Sequence, residues 1–145
     1  MLNEQPQAVT IIASHPIQYQ LPLFWELQSR GRQRYEVLFK SDHGFKPSLS
    51  REMGVRFKYD NLDTYPIRYK VLKNYGFTHK TAPPFGQINL SILKEIIRRK
   101  EHIFIVMGYA FVTDWIAYLT LILLRRKYVI RAETNLRTVR SQNRT

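Results

Sequence analysis

The stretch that decides the fold is IIASHPIQYQLPLF, at residues 11–24. Residues 8–13 are rich in β-branched side chains and apolar apart from Thr10, which is typical of a strand covered on both faces. A polar turn follows at 14–18, and His15 is biased towards extended backbone because a proline follows it. The sequence therefore predicts a strand that stops at this turn.

A helix is predicted directly after the turn, over residues 19–30. Leu23, Phe24 and Leu27 have the spacing of one helical face, which we expect to be buried. A strand, a turn and a helix make the first β-α unit of an α/β fold, in which ligands bind outside the carboxyl ends of the strands. His15 falls at that place.

The same alternation continues along the chain. It predicts strands at 35–39, 103–107 and 127–131, a short strand at 56–59, a loop at 75–87, and helices at 89–100 and 113–126. The first of these helices should bury Leu90, Leu93, Ile96 and Ile97 on one face. The fold class is then α/β, a Rossmann-like parallel sheet with flanking helices and right-handed crossovers.

The longest apolar run, residues 115–124, is read as a buried crossover helix. A membrane span needs about 20 apolar residues, and this run is bounded by Asp114 and by Arg125. No signal peptide is recognisable at the N-terminus. Together with the absence of cysteine, which excludes disulfides and thiolate metal sites, this predicts a cytoplasmic location.

The charge of the chain is strongly positive, with 23 Lys and Arg against 11 Asp and Glu. Residues 125–145 alone carry a net charge of +6, half of the total of +12. Such a balance favours anionic partners, namely phosphorylated ligands, anionic lipid or nucleic acid. We expect three regions: a flexible N-terminus at 1–7, the α/β domain at 8–134 and a basic tail at 135–145.

Polar or glycine residues follow four of the predicted strands. If the strands are parallel neighbours, these residues converge along one edge of the sheet; they are His15, Asp42 with His43, Gly108 with Tyr109, and Glu133. Each alone has a simpler explanation: a hydrogen-bonded turn histidine, a turn or cap aspartate, a glycine required by a tight turn, and an exposed acid beside Arg131.

Several familiar catalytic motifs do not occur. The chain has no phosphate loop of the form GxxxxGK[ST], no GxGxxG after the first strand and no GxSxG elbow. The four histidines lack the spacing of metal ligands, so no metal site is expected.

Six segments in order resemble a bacterial glycosyltransferase group of the family 4 type, which has the two-domain GT-B fold. The segments are HPIQYQLPLF at 15–24, LFKSDHG at 38–44, MGVRFKYD at 53–60, VLKN at 71–74, MGY at 107–109 and IRAET at 130–134. In this group the third segment usually reads FGxxFxWD, and the last two read HGY and LRGES. Met107 and Tyr59 therefore depart from the pattern, and Met107 removes one histidine from the expected cleft.

The resemblance implies transfer of a sugar from a nucleotide-sugar donor to a glycan or lipid-linked acceptor, such as a cell-surface polysaccharide precursor, without a cofactor or required metal. His15 would be the catalytic residue near the transferred sugar or its phosphate. The substrate-binding residues would be Gln18, Asp42, His43, Gly108, Tyr109 and Glu133. The basic surface would suit peripheral association with the inner face of the cell membrane.

Members of this group are more than twice as long as this chain, and their second domain grips the nucleotide. We therefore expect an incomplete N-terminal, acceptor-side domain that does not catalyse transfer alone. The alternative is a non-catalytic basic module that binds nucleic acid or anionic membrane. Nucleic acid is less favoured, because no RNP, KH or zinc-finger pattern occurs.

Overall fold

A computed structural model describes residues 7–45, 48–49, 56–57 and 61–132. Residues 1–6 of the predicted N-terminus at 1–7, the basic tail at 135–145 and Glu133 lie outside these ranges. The elements in chain order are β1 (Ala8–Ala13), α1 (Leu21–Arg30), β2 (Arg34–Phe39), β3 (Ser48–Leu49), β4 (Arg56–Phe57), α2 (Asn61–Thr64), β5 (Tyr69–Val71), α3 (Ser91–Arg98), β6 (Ile103–Met107), α4 (Val112–Leu123) and β7 (Tyr128–Arg131).

Five strands form a parallel sheet in the order β5-β2-β1-β6-β7. Numbered by their appearance within this sheet, the order is 3-2-1-4-5, which is the order of a doubly wound Rossmann-like fold. The predicted parallel α/β sheet is therefore confirmed. The order reverses between β1 and β6, so a crevice is expected above the carboxyl ends of these two strands.

Two hydrophobic clusters hold helices on opposite faces of the sheet. Ile11 and Ala13 of β1 pack with Leu21 and Phe24 of α1 on one face. Ile12, between them in sequence, packs on the other face in the cluster that includes buried residues of α3 and α4. Since successive strand residues point to opposite faces, the apolar run of β1 supplies both clusters at once.

One strand of the sheet, β5, was not predicted from the sequence. β5 pairs with β2 through Val37–Tyr69, Leu38–Lys70 and Phe39–Val71. This strand is only three residues long and lies at the edge of the sheet. Its side chains do not alternate between buried and exposed, since Tyr69 and Lys70 are both exposed. An edge strand this short carries too little periodicity to be recognised. The expected short strand at 56–59 is confirmed over Arg56–Phe57, where it pairs antiparallel with β3.

The buried faces predicted for two helices were partly wrong. In α1 the buried residues are Leu21 and Phe24, whereas Leu23 is exposed and the helix begins at Leu21. In α3 the buried residues are Ile92, Glu95 and Ile96, and three of the four apolar residues expected inside are exposed: Leu90, Leu93 and Ile97. Glu95 is buried in their place because two cations bond its carboxylate, from Lys70 and Arg99.

α4 is a crossover helix, as expected, but only one of its faces is buried. Ala117, Tyr118 and Leu121 pack in the core, whereas Trp115 and Leu119 are more than half exposed. Within the described ranges, no helix is long and apolar enough to cross a bilayer.

Candidate active-site cleft

Three histidines lie in a row at the carboxyl edge of the sheet. The ring of His15, after β1, meets the ring of His43, after β2, edge to face at a centroid distance of 5.2 Å. The ring of His43 meets that of His79, in the 75–87 loop, at 5.9 Å. The expected convergence of His15 and His43 is therefore present, and His79 joins them from a loop that the sequence analysis had not connected to the site.

One asparagine makes three of the hydrogen bonds that hold the 75–87 loop. The side chain of Asn74 donates to the Gly86 carbonyl at 2.7 Å and accepts from the backbone N–H groups of Gly76 and Ile88 at 2.9 and 2.8 Å. These bonds close the loop at its base. Lys80, in the same loop, forms an ion pair with Asp42. The loop therefore carries a cation and a histidine to the carboxyl edge of the sheet.

Two clefts open at this edge. One, of about 190 Å³, is lined by Ser14, Ile17, Tyr19, Gln20, Met107, Gly108 and Arg131, and therefore lies at the point where the strand order reverses. The second, of about 450 Å³, is lined by Asp42, Val71, Leu72, Lys73, Asn74, Gly76, Thr78 and Lys80. The histidine row is adjacent in sequence to lining residues of both, since His15 follows Ser14 and His43 follows Asp42.

Gly108 forms the tight turn that the sequence predicted after β6. Its φ is +104°, which side-chain-bearing residues rarely adopt. Its N–H donates to the Arg131 carbonyl at 2.9 Å, and its carbonyl accepts from the hydroxyl of Tyr118. Burial, with Asp114 and Tyr128 nearby, raises the pKa of Tyr118 to about 12, so this hydroxyl keeps its proton.

The structure gives less support to the remaining predicted site residues, Tyr109, Gln18 and Glu133. Tyr109 follows Gly108 and is about half exposed. Gln18 is exposed in the turn before α1 and is not among the residues that line the 190 Å³ cleft. Glu133 cannot be placed, because it lies outside the described residues.

A relay of side chains orients His15. The amide nitrogen of Gln87 donates to the Lys80 carbonyl at 2.8 Å and to the Ser14 hydroxyl oxygen at 2.6 Å. The Ser14 hydroxyl lies 2.9 Å from Nδ1 of His15. The Ser14 oxygen accepts from Gln87, and its own proton can be donated to Nδ1 of His15. When Ser14 donates in this way, the ring proton of neutral His15 is on Nε2.

His15 is held in its neutral form. Burial, reinforced by His43 and Lys40 nearby, lowers the pKa of His15 to about 4. Burial also lowers the pKa of His43, together with His79 and Lys80, against the opposing effect of Asp42. At neutral pH the ring of His15 is therefore uncharged rather than a cation.

A buried ion pair lies beneath the histidine row. Nζ of Lys40, the residue after β2, is 2.5 Å from Oδ1 of Asp114, and both side chains are at most 1% exposed. Oδ2 of Asp114 accepts from the backbone N–H of Phe111 at 3.1 Å, and Lys40 also sits 5.0 Å above the Phe111 ring. Burial lowers the pKa of Lys40, and Asp114 opposes this. The pair ties the end of β2 to the start of α4.

A buried asparagine joins the same region. The side chain of Asn89 donates to three backbone carbonyls, those of Lys40, Leu72 and Lys73. Its Oδ1 accepts from the hydroxyl of Thr113 at 2.8 Å. Asn89 thereby connects the ends of β2 and β5 to α4, so the carboxyl edge of the sheet is fixed from below.

At the helix N-termini beside the crevice, the first N–H groups already have acceptors within the chain. In α1 the N–H groups of Gln20 and Leu21 both donate to the Ile17 carbonyl, and Pro22 has none. In α4 the N–H groups of Val112 and Thr113 donate to backbone carbonyls of the 75–87 loop. A Rossmann-like dinucleotide site uses such groups to bind phosphate. Here they are engaged within the chain.

The supporting residues were missed in the sequence analysis for a physical reason. Gln87 and Asn89 act through bonds to distant segments, which no local pattern reveals. Lys40 gave one usable signal, because a lysine directly after a buried strand must find an anion. Asp114 was expected to bound the apolar run; in the structure it also accepts from the Phe111 N–H at the start of α4.

Among the described residues, no group of three or more His, Asp or Glu side chains is arranged to hold a metal ion. In comparisons with known proteins, no family model, curated protein or solved structure matches the chain. The resemblance to glycosyltransferases therefore rests on the ordered motifs alone.

Proposed function

We propose that this chain is the acceptor-side domain of a glycosyltransferase of the GT-B type, acting with a nucleotide-binding domain. The observation that carries the proposal is the position of the HPIQYQ turn. Its residues Ile17, Tyr19 and Gln20 line the cleft at the reversal of strand order, where open α/β sheets bind ligands. His15 of the same turn lies beside that cleft, in the histidine row.

The chemistry of His15 suits contact with an oxygen of the donor. In the proposal, Nε2–H of the neutral, partly buried His15 donates to negative charge as it develops on a leaving phosphate. A neutral ring does so without holding the phosphate as a permanent ion pair. Gln87 and Ser14 support this tautomer from behind, so they are positioning residues in the proposal.

The engaged helix ends favour the acceptor side over the nucleotide side. A domain that grips a pyrophosphate at a helix N-terminus needs free N–H donors there. In α1 and α4 the first N–H groups bond within the chain instead. The proposal therefore assigns the nucleoside diphosphate to the partner domain, and the sugar and acceptor to the cleft of this chain.

Saturation-transfer NMR tests this assignment. Spectra are recorded with each of four ligands added separately to the chain: a nucleotide sugar, the matching sugar 1-phosphate, the free nucleoside diphosphate and neutral oligosaccharides. The expected result is saturation of sugar protons and little saturation of base protons. Saturation of sugars should fall in His15→Ala and persist in His102→Ala, whose ring instead bonds Thr10.

Three results would contradict the proposal. The first is binding of the free nucleoside diphosphate as strongly as the sugar 1-phosphate. The second is equal loss of sugar binding in both histidine variants. The third is binding of a single-stranded oligonucleotide, with strong salt dependence, in place of any sugar; that result would support the nucleic-acid alternative.

A further inference from the structure

The outer face of α4 is a continuous exposed apolar surface. Trp115, Leu119, Ile122 and Leu123 follow one another at helical spacing and are 57, 60, 55 and 80% exposed. The opposite face of the helix is in the core. The neighbouring helix α3 packs against α4 and adds exposed Leu93 and Ile97. An exposed apolar surface of this kind marks an interaction site.

Basic residues gather at one end of this surface. Since α3 and α4 each precede a parallel strand, both end at the amino edge of the sheet, away from the histidine row. The exposed bases there are Arg98, Lys100, Arg125 and Lys127, joined by Arg126, which donates to the Lys100 carbonyl at 2.9 Å. Within 98–101 and 125–127, Glu101 is the sole acid.

This combination fits an anionic bilayer better than a second copy of the chain. Two copies pairing through α4 would bring apolar surfaces together but would offer almost no acids to match the bases. A bilayer containing anionic lipid takes apolar side chains into its interface and attracts bases at its headgroups. At 12 residues, α4 can lie in that interface but is too short to cross it.

We propose that the outer face of α4, with the bases at the ends of α3 and α4, binds the surface of a membrane containing anionic lipid. The surface is separate from the histidine row, so it does not depend on the proposed sugar chemistry.

Co-sedimentation with vesicles tests the proposal. The wild-type chain should bind phosphatidylcholine vesicles containing phosphatidylglycerol and bind pure phosphatidylcholine much less. Leu119→Glu with Leu123→Glu should weaken binding about tenfold or more. Leu23→Glu, at an exposed leucine of α1 on the other sheet face, is the matched control and should bind as wild type.

The basic residues have their own test. Arg125→Gln with Lys127→Gln should weaken binding about fivefold for each charge removed, whereas Arg32→Gln, an exposed arginine after α1, should not. In addition, the fluorescence of Trp115 should shift to shorter wavelength on binding and be quenched by brominated lipid. Both changes should be absent in Trp115→Phe, which probes the same surface if the glutamate variants do not fold.

Several outcomes would overturn the proposal. Equal binding to neutral and anionic vesicles would remove the role of the bases. Wild-type binding by the Leu119 and Leu123 variant would show attraction by charge alone, through another surface. A dimer in sedimentation equilibrium that this variant dissociates, with no binding to vesicles, would assign the face to a second copy.

Discussion

The sheet carries two clusters of charged and polar side chains that differ in burial. The first, at its carboxyl edge, comprises Lys40, Asp114, Asn89, Thr113, Gln87 and Ser14, and we call it the carboxyl-edge network. The second, along β2, β5 and α3, comprises Arg34, Glu36, Lys70, Glu95 and Arg99, and we call it the side cluster. The Lys40–Asp114 pair is at most 1% exposed. In the side cluster Lys70 and Arg34 are more than half exposed.

The difference shows which charges can hold a functional site in place. When one partner of a buried ion pair is lost, water cannot reach the remaining charge to solvate it. A buried pair therefore holds both of its side chains in one position. A half-exposed pair exchanges readily with solvent and contributes little. The side cluster also lines a cleft, of about 160 Å³, but its cations already face Glu36 and Glu95. The carboxyl-edge network supports the residues that we assign to the site.

The largest effect is expected from Asp114. Asp114→Asn should destabilise the fold by about 3–5 kcal/mol, because it leaves the Lys40 ammonium buried without its anion. Chemical denaturation monitored by circular dichroism measures this loss. The double variant Lys40→Met with Asp114→Leu should recover much of it, and no recovery would show that the pair is not the cause.

A pH effect of about 3 kcal/mol is expected from His15. Its pKa is about 4 in the folded chain and about 6.5 in the unfolded one, so the unfolded chain binds more protons between these values. The free energy of unfolding should therefore fall as pH falls from about 6.5 to 4. His15→Asn keeps an acceptor for Ser14 and should lose this part of the pH dependence. An unchanged slope in the variant would contradict the assignment.

An intermediate effect is expected from Gln87. Gln87→Leu should cost about 1–2 kcal/mol, because the Lys80 carbonyl and Ser14 lose a buried donor. It should also change the ¹⁵N shifts of His15, since Ser14 could then accept from Nδ1–H and the tautomer would shift. Gln28→Leu is the matched control, because Gln28 makes two similar backbone bonds to Arg68 at an exposed position. Identical ¹⁵N spectra of His15 in the wild type, Gln87→Leu and Gln28→Leu would show that Gln87 does not orient His15.

The smallest effect is expected in the side cluster. Burial alone would raise the pKa of Glu36, but the bond from Arg99 together with the charges of Arg99, Arg34 and His102 lowers it. Because Glu36 is 25% exposed and its partner Arg34 is 66% exposed, water can replace part of what is lost, and Glu36→Gln should cost about 1 kcal/mol or less at neutral pH. If Glu36→Gln lowered the free energy of unfolding as much as Asp114→Asn does, the proposed difference between the two clusters would be contradicted.

The sequence predicted the parts of this molecule that follow from local patterns. The β-α unit around His15, the strand ending at Met107 and the tight turn at Gly108 each depend on residues that are neighbours in the chain. The parallel arrangement followed from their alternation, and it correctly brought His15 and His43 together.

Other features depend on distant contacts and could not be predicted. β5 forms because its backbone can hydrogen-bond to the free edge of β2, and not because Tyr69–Val71 has the residue pattern of a strand. The expected burial of Leu93 and Ile97 was wrong because α3 turns Glu95 inwards, towards Lys70 and Arg99. Gln87 carried no signal, since its role comes from the position of Ser14, 73 residues away.

The central claim, that the carboxyl edge of the sheet is the ligand site, is tested most directly by mapping backbone amide shifts in NMR during titration with a sugar 1-phosphate. The account predicts that the shifted amides cluster at residues 14–20, 42–44, 79–80 and 107–109, and that His15→Ala abolishes the shifts. Shifts confined to residues 34–37, 68–70 and 99, along the side cluster, would contradict it.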